Sequence, residues 1–439
     1  MKQIINKILL IAIFLMGGST MVSAQSLEEL INLAIEQNYD IKILKNEAAV
    51  AANNNTKGNA GKLPTIDLSG GVTSSFNSTK QKFSDGTERT GNFANNTNIN
   101  SSILLNWTAF DGFRVQARKE QLELLEQLSD MDVKFYVEQT VSDVTMAYYQ
   151  LLYEKQLLAN FQESLSISAF RLSIAQKRKD VGGGKAVDYG QALVDYQTDS
   201  IRLLGQLNTI QSLEIELNRL LNNDLEHSFE LTESDFSIQP LPSKDTLLTA
   251  IKNNNKQLQQ ERLLELISET TQRLAKADRY PKIDLFGGAQ YTHSFSEVGL
   301  VESSRNIGPL FGLNISFNLY NGGETKRLIE NADIYRESAQ LSREQVNHNI
   351  DANVLDLYHQ YVSVSSRIAL ANNNIEAMKK VYETTSEQLK QGAINGFDFR
   401  TTQLSLLNTE LTLIQLQFAL KAIEININRL SGSAIAAYL

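Results

Sequence analysis

The stretch Leu63-Pro64-Thr65-Ile66-Asp67-Leu68-Ser69-Gly70-Gly71 returns 217 residues later as Tyr280-Pro281-Lys282-Ile283-Asp284-Leu285-Phe286-Gly287-Gly288, with six of nine residues identical. In both copies apolar side chains alternate with polar or small ones, a pattern that predicts a β-strand with one apolar face. Three further motifs repeat at a constant offset of 210: Phe110-Asp111-Gly112, Gly182 with Asp188, and Asn218-Arg219-Leu220. Since chance matches do not hold one offset over so long a span, the sequence predicts two tandem structural repeats, residues 25–239 and 240–439.

The first 24 residues have the layout of a secretory signal peptide. Lys2 and Lys7 precede an apolar run over residues 8–16, and small residues then lead to Ala24. This layout predicts export and removal of residues 1–24. The apolar run is too short to span a bilayer core of about 30 Å, so a helical anchor is not expected.

Composition excludes several kinds of site and partner. The chain has 439 residues, a formal net charge of −9, four histidines and no cysteine. A disulfide, a thiolate metal site and a lipidated N-terminal cysteine are therefore impossible, and an acidic chain suits no nucleic-acid partner. His348 and His359 are eleven residues apart on a predicted helix, too far to share a metal. Because no nucleophile with a base and no paired carboxylates stand out, we expect no enzyme activity and no cofactor.

Long helices are predicted in both repeats. All five prolines lie outside residues 113–239 and 310–439, so none interrupts a helix there. We predict long helices over about 113–181 and 324–391, followed by return helices over about 187–222 and 397–430. Nine residues at alternating spacings of three and four form a seam typical of a coiled coil, namely Val354, Leu357, Tyr361, Val364, Ile368, Ala371, Ile375, Met378 and Tyr382. Helices of this length, roughly 100 Å, indicate an extended bundle or helical barrel.

Two predicted strands precede each long helix, at about 65–76 and 98–110 and again at about 282–295 and 307–320, joined by polar loops over 77–97 and 292–306. Strands of about ten residues with aromatic residues at their ends are typical of membrane-spanning β-sheets. Parity predicts a lipid-facing set of Ile103, Leu105, Trp107, Leu285, Tyr291, Leu313, Ile315 and Phe317. Four strands cannot close a barrel, whereas three copies of the chain supply twelve. The alternative is a periplasmic or surface coiled-coil scaffold, without channel activity, whose hairpins pack on helices.

The order and double occurrence of these motifs resemble the TolC family of outer-membrane efflux proteins. The resemblance rests on the duplicated strand pairs, on the long helices that leave Asp111-Gly112 and Asn321-Gly322, and on the glycine turns that follow them. It implies a mixed, mainly α fold: a homotrimer whose twelve strands form a transmembrane β-barrel continuous with a long coiled-coil helical barrel in the periplasm. It also implies the exit duct of a tripartite efflux or type I secretion system, working with a periplasmic adaptor (membrane fusion) protein and indirectly with an inner-membrane transporter.

The same resemblance places the periplasmic entrance and adaptor contact at the two helix–helix turns, at Val181, Gly182, Gly183, Asp188, Gly392, Asp398 and Thr401. Asp188 and Asp398 begin the return helices, so helix capping or a first-turn charge is an equally weighted interpretation. The family's tip-locking tyrosine and arginine correspond to Leu389 and Ile394, which cannot form polar links. The sequence leaves open whether Lys390 or Arg400 replaces them, and it leaves the exported substrate open.

Overall fold

A computed structural model describes residues 25–183 and 186–439, so the predicted signal peptide lies outside the described residues. The mixed, mainly helical architecture predicted from the sequence is confirmed. Along the chain the elements are α1 (Leu27–Gln37), α2 (Tyr39–Asn54), β1 (Thr65–Lys82), β2 (Glu88–Phe110), α3 (Arg114–Asp180), α4 (Ala186–Leu221), α5 (Lys244–Asn254), α6 (Lys256–Ala277), β3 (Lys282–Ser296), β4 (Ser303–Ser316), α7 (Glu324–Lys390), α8 (Gly396–Leu430) and α9 (Ala434–Tyr438).

The chain divides into two compact units, and each takes segments from both predicted repeats. The helical unit contains the residues up to Ile43, then Val133–Gln257 and Asn347–Leu439. The strand unit contains Leu44–Asp132 and Leu258–Val346. No helix in the described part of the chain is both long enough and apolar enough to cross a membrane.

The core of the helical unit joins short and long helices. Tyr148 and Leu151 of α3 pack in one cluster with Leu217 of α4, Ile425 of α8 and Leu30 of α1, and all five side chains are buried. Helix α1 begins with a capping box in which the Ser26 hydroxyl accepts from the Glu29 N–H and the Glu29 carboxylate accepts from the Ser26 N–H. This box satisfies two of the backbone donors that a helix start leaves free, so it fixes where α1 enters the core.

The coiled-coil seam predicted along α7 is confirmed. All nine seam residues are buried or half-buried within this chain, while most of the residues between them are exposed. Val354, Val364 and Ala371 are the most deeply buried of the nine. A spacing of three and four keeps these side chains on one face of the helix, which is why periodicity alone identified them.

The strand unit is built on one antiparallel sheet in the order β1-β2-β3-β4. Its first hairpin is longer than predicted, because β1 continues to Lys82 and β2 starts at Glu88, so most of the predicted loop 77–97 is strand. Likewise the predicted loop 292–306 reduces to residues 297–302. The extension is physically reasonable, since Thr and Ser pair across strands through their hydroxyls, as Ser74 and Thr97 do at 2.8 Å.

At the opposite end the sheet stops earlier than predicted. Strand β4 ends at Ser316, which pairs with Lys282, the first residue of β3. Pro281 precedes Lys282 and has no N–H to donate to the ladder, which disfavours a further pair at this end of β3. The predicted strand 307–320 is therefore wrong over its last four residues, and Phe317 lies just beyond β4 rather than in it.

Candidate functional sites

The first helix–helix turn is fixed by glycine. Gly182 has a φ of +76°, and its N–H donates to the Lys179 carbonyl at 3.0 Å. The Gly183 N–H donates to the Arg178 carbonyl, also at 3.0 Å. These two bonds define a Schellman motif, which satisfies the last carbonyls of α3 and requires a left-handed residue at Gly182.

The second turn repeats this geometry at the end of α7. Gly392 has a φ of +74°, its N–H donates to the Leu389 carbonyl at 3.1 Å, and the Ala393 N–H donates to the Gln388 carbonyl at 2.8 Å. Two turns that the sequence matched only by a glycine and an aspartate thus share one backbone conformation. Any residue with a β-carbon at either position would have to adopt the left-handed backbone conformation, which costs roughly 1–2 kcal/mol.

The acid at the start of α8 does not cap it. Asn395 is the N-cap, and its side-chain oxygen accepts from the Asp398 N–H at 2.9 Å. Asp398 therefore lies in the first helical turn with an exposed side chain, and Asp188 occupies the first turn of α4 in the same way. Between helix capping and first-turn charge, the geometry supports first-turn charge for Asp398, because Asn395 occupies the capping position.

All residues predicted to form the entrance are exposed in the chain: Val181, Gly182, Gly183, Asp188, Gly392, Asp398 and Thr401. Apolar side chains lie beside them, with Val181 82%, Val187 77% and Phe397 72% exposed. Lys179 places its Nζ 4.3 Å from the centre of the Tyr189 ring, a cation–π contact across the first turn. The turns therefore combine carboxylates with apolar side chains that nothing in the described chain covers.

Arg400 lies in a buried ion pair of the same chain. Its Nη1 and Nη2 donate to the two carboxylate oxygens of Asp199 at 2.9 and 2.8 Å, and the Asp199 side chain is only 2% exposed. Lys390, in contrast, is exposed and pairs with Glu387 on its own helix at 2.7 Å. Of the two candidates that the sequence left open, only Arg400 links separate helices, α8 and α4.

A second pair completes a charged quartet, which we define as Arg171, Asp195, Asp199 and Arg400; Asp195 is half-buried and the other three are buried. Arg171 Nη1 donates to Asp195 Oδ2 at 3.1 Å, and its Nη2 donates to the Gly396 carbonyl at 2.9 Å. Gly396 is the first residue of α8, so the quartet ties α3 and α4 to the helix that follows the second turn. Two cations face two carboxylates, which compensates the cost of removing each charge from water.

The environment of Asp199 has two opposing effects on its pKa. Burial alone would raise the pKa, but hydrogen bonds from Arg400 and Ser168, together with the Arg400 charge, outweigh burial. The pKa is therefore held below its ordinary value of 3.8. Because the folded-state pKa is lowered, the stabilisation from this carboxylate is complete above its ordinary pKa and is lost as the pH falls through the folded-state value.

Sequence reasoning did not identify the quartet. The spacing of four residues between Asp195 and Asp199 places both carboxylates on one face of α4, which is the only local signal available. Their partners are distant in sequence, since Arg400 follows Asp199 by 201 residues. Within residues 25–183 and 186–439 no cluster of three or more histidine or carboxylate side chains could hold a metal ion.

The register of the sheet brings the predicted lipid-facing residues together, except for Phe317. Ile103, Leu105 and Trp107 of β2 pair with Ala289, Gly287 and Leu285 of β3. In turn, Leu285 pairs with Leu313, and Ile283 and Tyr291 pair with Ile315 and Ile307. Since directly paired residues share a face, these side chains form one apolar face, and most of them are exposed in the chain.

The opposite face of the sheet is polar. Thr108 Oγ1 donates to Asp284 Oδ1 at 2.8 Å, and the hydroxyls of Ser69 and Ser102 lie 2.8 Å apart. Three apolar residues interrupt this face: Leu104 pairs with Gly288, Gly288 pairs with Leu310, and Phe286 pairs with Asn106. The two faces of the sheet therefore differ: one is apolar, and the other is mainly polar and suits contact with water.

We predict that Arg400→Met lowers the thermal midpoint of the purified protein, because it leaves the Asp199 carboxylate buried without a partner. Loss of one member of a buried pair costs about 3–5 kcal/mol. Lys390→Met removes a cation from the exposed pair with Glu387 and should change stability by less than about 1 kcal/mol. Thermal denaturation followed by circular dichroism compares the two variants, and equal midpoints would show that the quartet contributes nothing.

The comparisons with known proteins agree with this architecture. A family profile described as "Outer membrane efflux protein" matches the chain twice, over residues 30–223 and 247–433, in keeping with two tandem repeats. Among curated protein sequences there is no match to this chain.

Several solved channel structures share the fold. A crystal structure of CusC has a TM-score of 0.78 at 16% identity, covering 92% of this chain and 91% of that one. The outer membrane protein VceC from Vibrio cholerae gives 0.75 at 16% identity, with 92% and 96% covered. The open state of the MtrE outer membrane channel from Neisseria gonorrhoeae gives 0.72 at 14%, with 93% and 89% covered. At these identities the likeness shows the fold, and the double match to the family profile shows that the chain belongs to the outer membrane efflux protein family.

Proposed function

We propose that the chain forms the outer-membrane exit duct of a tripartite efflux or type I secretion system and passively conducts substrates to the exterior. The observation that carries this proposal is the sheet, with one exposed apolar face and one hydrogen-bonded polar face. Lipid suits the first face and a water-filled duct suits the second. We place the strands in the cell outer membrane and the helical unit in the periplasm.

The edges of the sheet support a homotrimer. Strands β1 and β4 each pair with one neighbour only, so the other edge of each strand has no partner strand in the described chain. Unpaired backbone groups are not tolerated in lipid, and the remedy is to pair β4 of one copy with β1 of the next. Three copies give twelve strands, enough to enclose a lumen.

The alternative, a coiled-coil scaffold without channel activity, has less support. In a scaffold the strand hairpins would bury their apolar side chains against helices. Ile103, Leu313 and Ile315 are instead more than half exposed. An exposed apolar face of this extent needs a covering environment, and a bilayer provides one.

The entrance of the proposed duct lies at the two turns, around Gly182 and Gly392. Three copies of Asp188 and Asp398 around one axis would focus a negative potential there. The exposed side chains of Val181, Val187 and Phe397 supply apolar area for a periplasmic adaptor, which couples the duct to an inner-membrane transporter. The quartet lies directly behind the second turn and holds α8 in place through Gly396.

We predict a trimer that only detergent extracts from membranes. Multi-angle light scattering in mild detergent should give three times the mass of the mature chain, because each sheet requires two neighbours. A scaffold would instead be released from membranes by carbonate. A monomer that keeps its full strand content in mild detergent would contradict the proposed duct.

The faces of β2 can be tested with one pair of variants. Leu105→Arg places a charge on the apolar face, where an arginine near the bilayer midplane costs about 2–4 kcal/mol, so surface levels of the protein should fall. Ser102→Arg places the same charge on the polar face, and surface levels should be largely kept. Quantitative surface labelling in cells measures both variants. A loss for Ser102→Arg but not for Leu105→Arg would show that the faces are assigned the wrong way round, and equal levels would show that the two faces do not differ in environment.

We expect Asp398→Asn to weaken cation preference in single-channel recordings, because it removes three carboxylates from the proposed constriction. Asp356→Asn is the matched control, since Asp356 is an exposed acid on α7 away from the turns. If the two variants have the same ion selectivity as the wild type, the constriction is not at the second turn.

A further inference from the structure

At the junction between strand and long helix, the two repeats differ in the second of two consecutive residues with positive φ. In the second repeat Gly322 and Gly323 follow β4 and have φ values of +68° and +85°. In the first repeat Gly112 and Phe113 follow β2 and have φ values of +69° and +68°. The same backbone path thus uses two glycines in one repeat and places a bulky aromatic residue in the left-handed region in the other.

Phe113 has a strained backbone conformation, and its side chain is not buried in a core that would compensate the strain. A residue with a β-carbon in the left-handed region costs roughly 1–2 kcal/mol, and 59% of Phe113 is exposed. Glycine at the equivalent position in the second repeat shows that the fold does not need an aromatic residue there. Strain of this kind is retained where the side chain has another contact to make.

A β-bulge brings a second aromatic side chain to the same place. Thr108 pairs with Asp284, but the next pair is Phe110 with Ile283, so Ala109 is the extra residue. Phe110 therefore lies on the apolar face with Ile283, although strict alternation from Thr108 would put it on the polar face. Its ring packs edge to face on Phe113, with centroids 5.4 Å apart.

A cavity of about 370 Å³ lies next to this aromatic pair, between the start of α3 and the end of α6. Its walls combine the rings of Phe113 and Tyr280 with Ala117 and with two cationic side chains, Arg273 and Lys276. Gly112 allows the close approach that shapes the cavity, because a β-carbon there would overlap the Ala277 carbonyl oxygen. The volume is in the range of small-molecule sites, about 300–1,000 Å³.

One of the two cations in the cavity wall has no ionic partner in the described chain. Arg273 pairs with Glu120, whereas Lys276 forms no ion pair with any residue that the structure describes. Lys282, further along the same segment, is also paired, with Asp284 at 3.0 Å, so Lys276 is the cavity-wall cation that is available to a ligand. A free ammonium group beside an apolar wall suits a ligand that has an anionic group joined to a hydrocarbon chain.

The cavity lies away from the strand edges at which further copies would pair. The cavity is built at the ends of β2 and β3, the two central strands of the sheet. Further copies would pair at the edges, β1 and β4. At the cavity, the apolar face of the sheet meets the start of the helical segments, which is where lipid headgroups would lie.

We propose that the cavity binds an anionic glycerophospholipid of the periplasmic leaflet. The phosphate would lie at Lys276, with the Gln116 amide as a further donor, and the upper part of an acyl chain would cover Phe113, Phe110 and Tyr280. The inference rests on the proposed function, because it requires this end of the sheet to face the periplasm. Aromatic rings at headgroup level and a cation near an anionic lipid are both favourable in a bilayer.

The single tryptophan of the chain reports on the site. Trp107 lies on the apolar face, three residues before Phe110, and is 43% exposed. The protein is reconstituted in phosphatidylcholine vesicles that contain a minor fraction of brominated phosphatidylglycerol or, separately, of brominated phosphatidylcholine. Bromine quenches the fluorescence of nearby tryptophan. At equal mole fraction we therefore expect the anionic brominated lipid to quench Trp107 more strongly than the neutral one. The attraction of one cation corresponds to roughly fivefold enrichment of the anionic lipid beside the cavity.

Three variants test whether the preference for the anionic lipid depends on the cavity. Lys276→Gln should abolish it, and Phe113→Gly should abolish it while leaving the thermal midpoint unchanged or higher, because glycine relieves the backbone strain. Lys326→Gln is the matched control: it lies 210 residues after Gln116, at the start of α7, and its cation forms only an exposed pair with Glu330 at 3.7 Å. This control should keep the preference.

The outcomes separate the inference from the proposed function. If neither brominated lipid quenches Trp107, the strands are not in lipid, and the proposed function fails as well. If both lipids quench wild-type protein equally, or if Lys276→Gln keeps the preference, the lipid site is overturned and the duct stands.

Discussion

Backbone pairing in the four-stranded sheet is the constraint on which the rest of the structure depends. The order β1-β2-β3-β4 leaves two edges without a partner strand in the described chain, and the register puts apolar side chains on one face. In water such a sheet would expose both an apolar face and reactive edges. The proposed trimer in the outer membrane removes both costs at once, because lipid covers the face and neighbouring copies pair with the edges.

The helical unit meets a different requirement, which is to hold long helices in register near two narrow turns. Repeated Schellman motifs at Gly182 and Gly392 end the long helices without unsatisfied carbonyls. Behind them the quartet is neutral overall, so burying it does not leave a charge unpaired. Its bond from Arg171 to the Gly396 carbonyl links the first pair of helices to the second turn, so displacing α8 requires breaking charged hydrogen bonds.

Tandem repeats in this chain share a backbone but not every role. The two strand-to-helix junctions both have two consecutive residues with positive φ, but the second of these is Phe113 in the first repeat and Gly323 in the second. A duplicated fold therefore offers matched positions where one copy keeps the least strained residue and the other is free to differ. Gly323 and Phe113 are such a pair, and the comparison shows that Phe113 is not required by the fold.

The sequence by itself determined the features that follow from local geometry: the repeats, the seam of α7, the glycine turns and the two faces of the strands. Each depends on residue spacing or on the conformational freedom of glycine, and both can be read along the chain. Only the tertiary structure decided where the strands end, because pairing requires a partner, and β4 stops at its pair with Lys282, the first residue of β3. It also decided that a bulge turns Phe110 to the apolar face and that Arg400 meets Asp199, because contacts between residues far apart in sequence leave no local pattern.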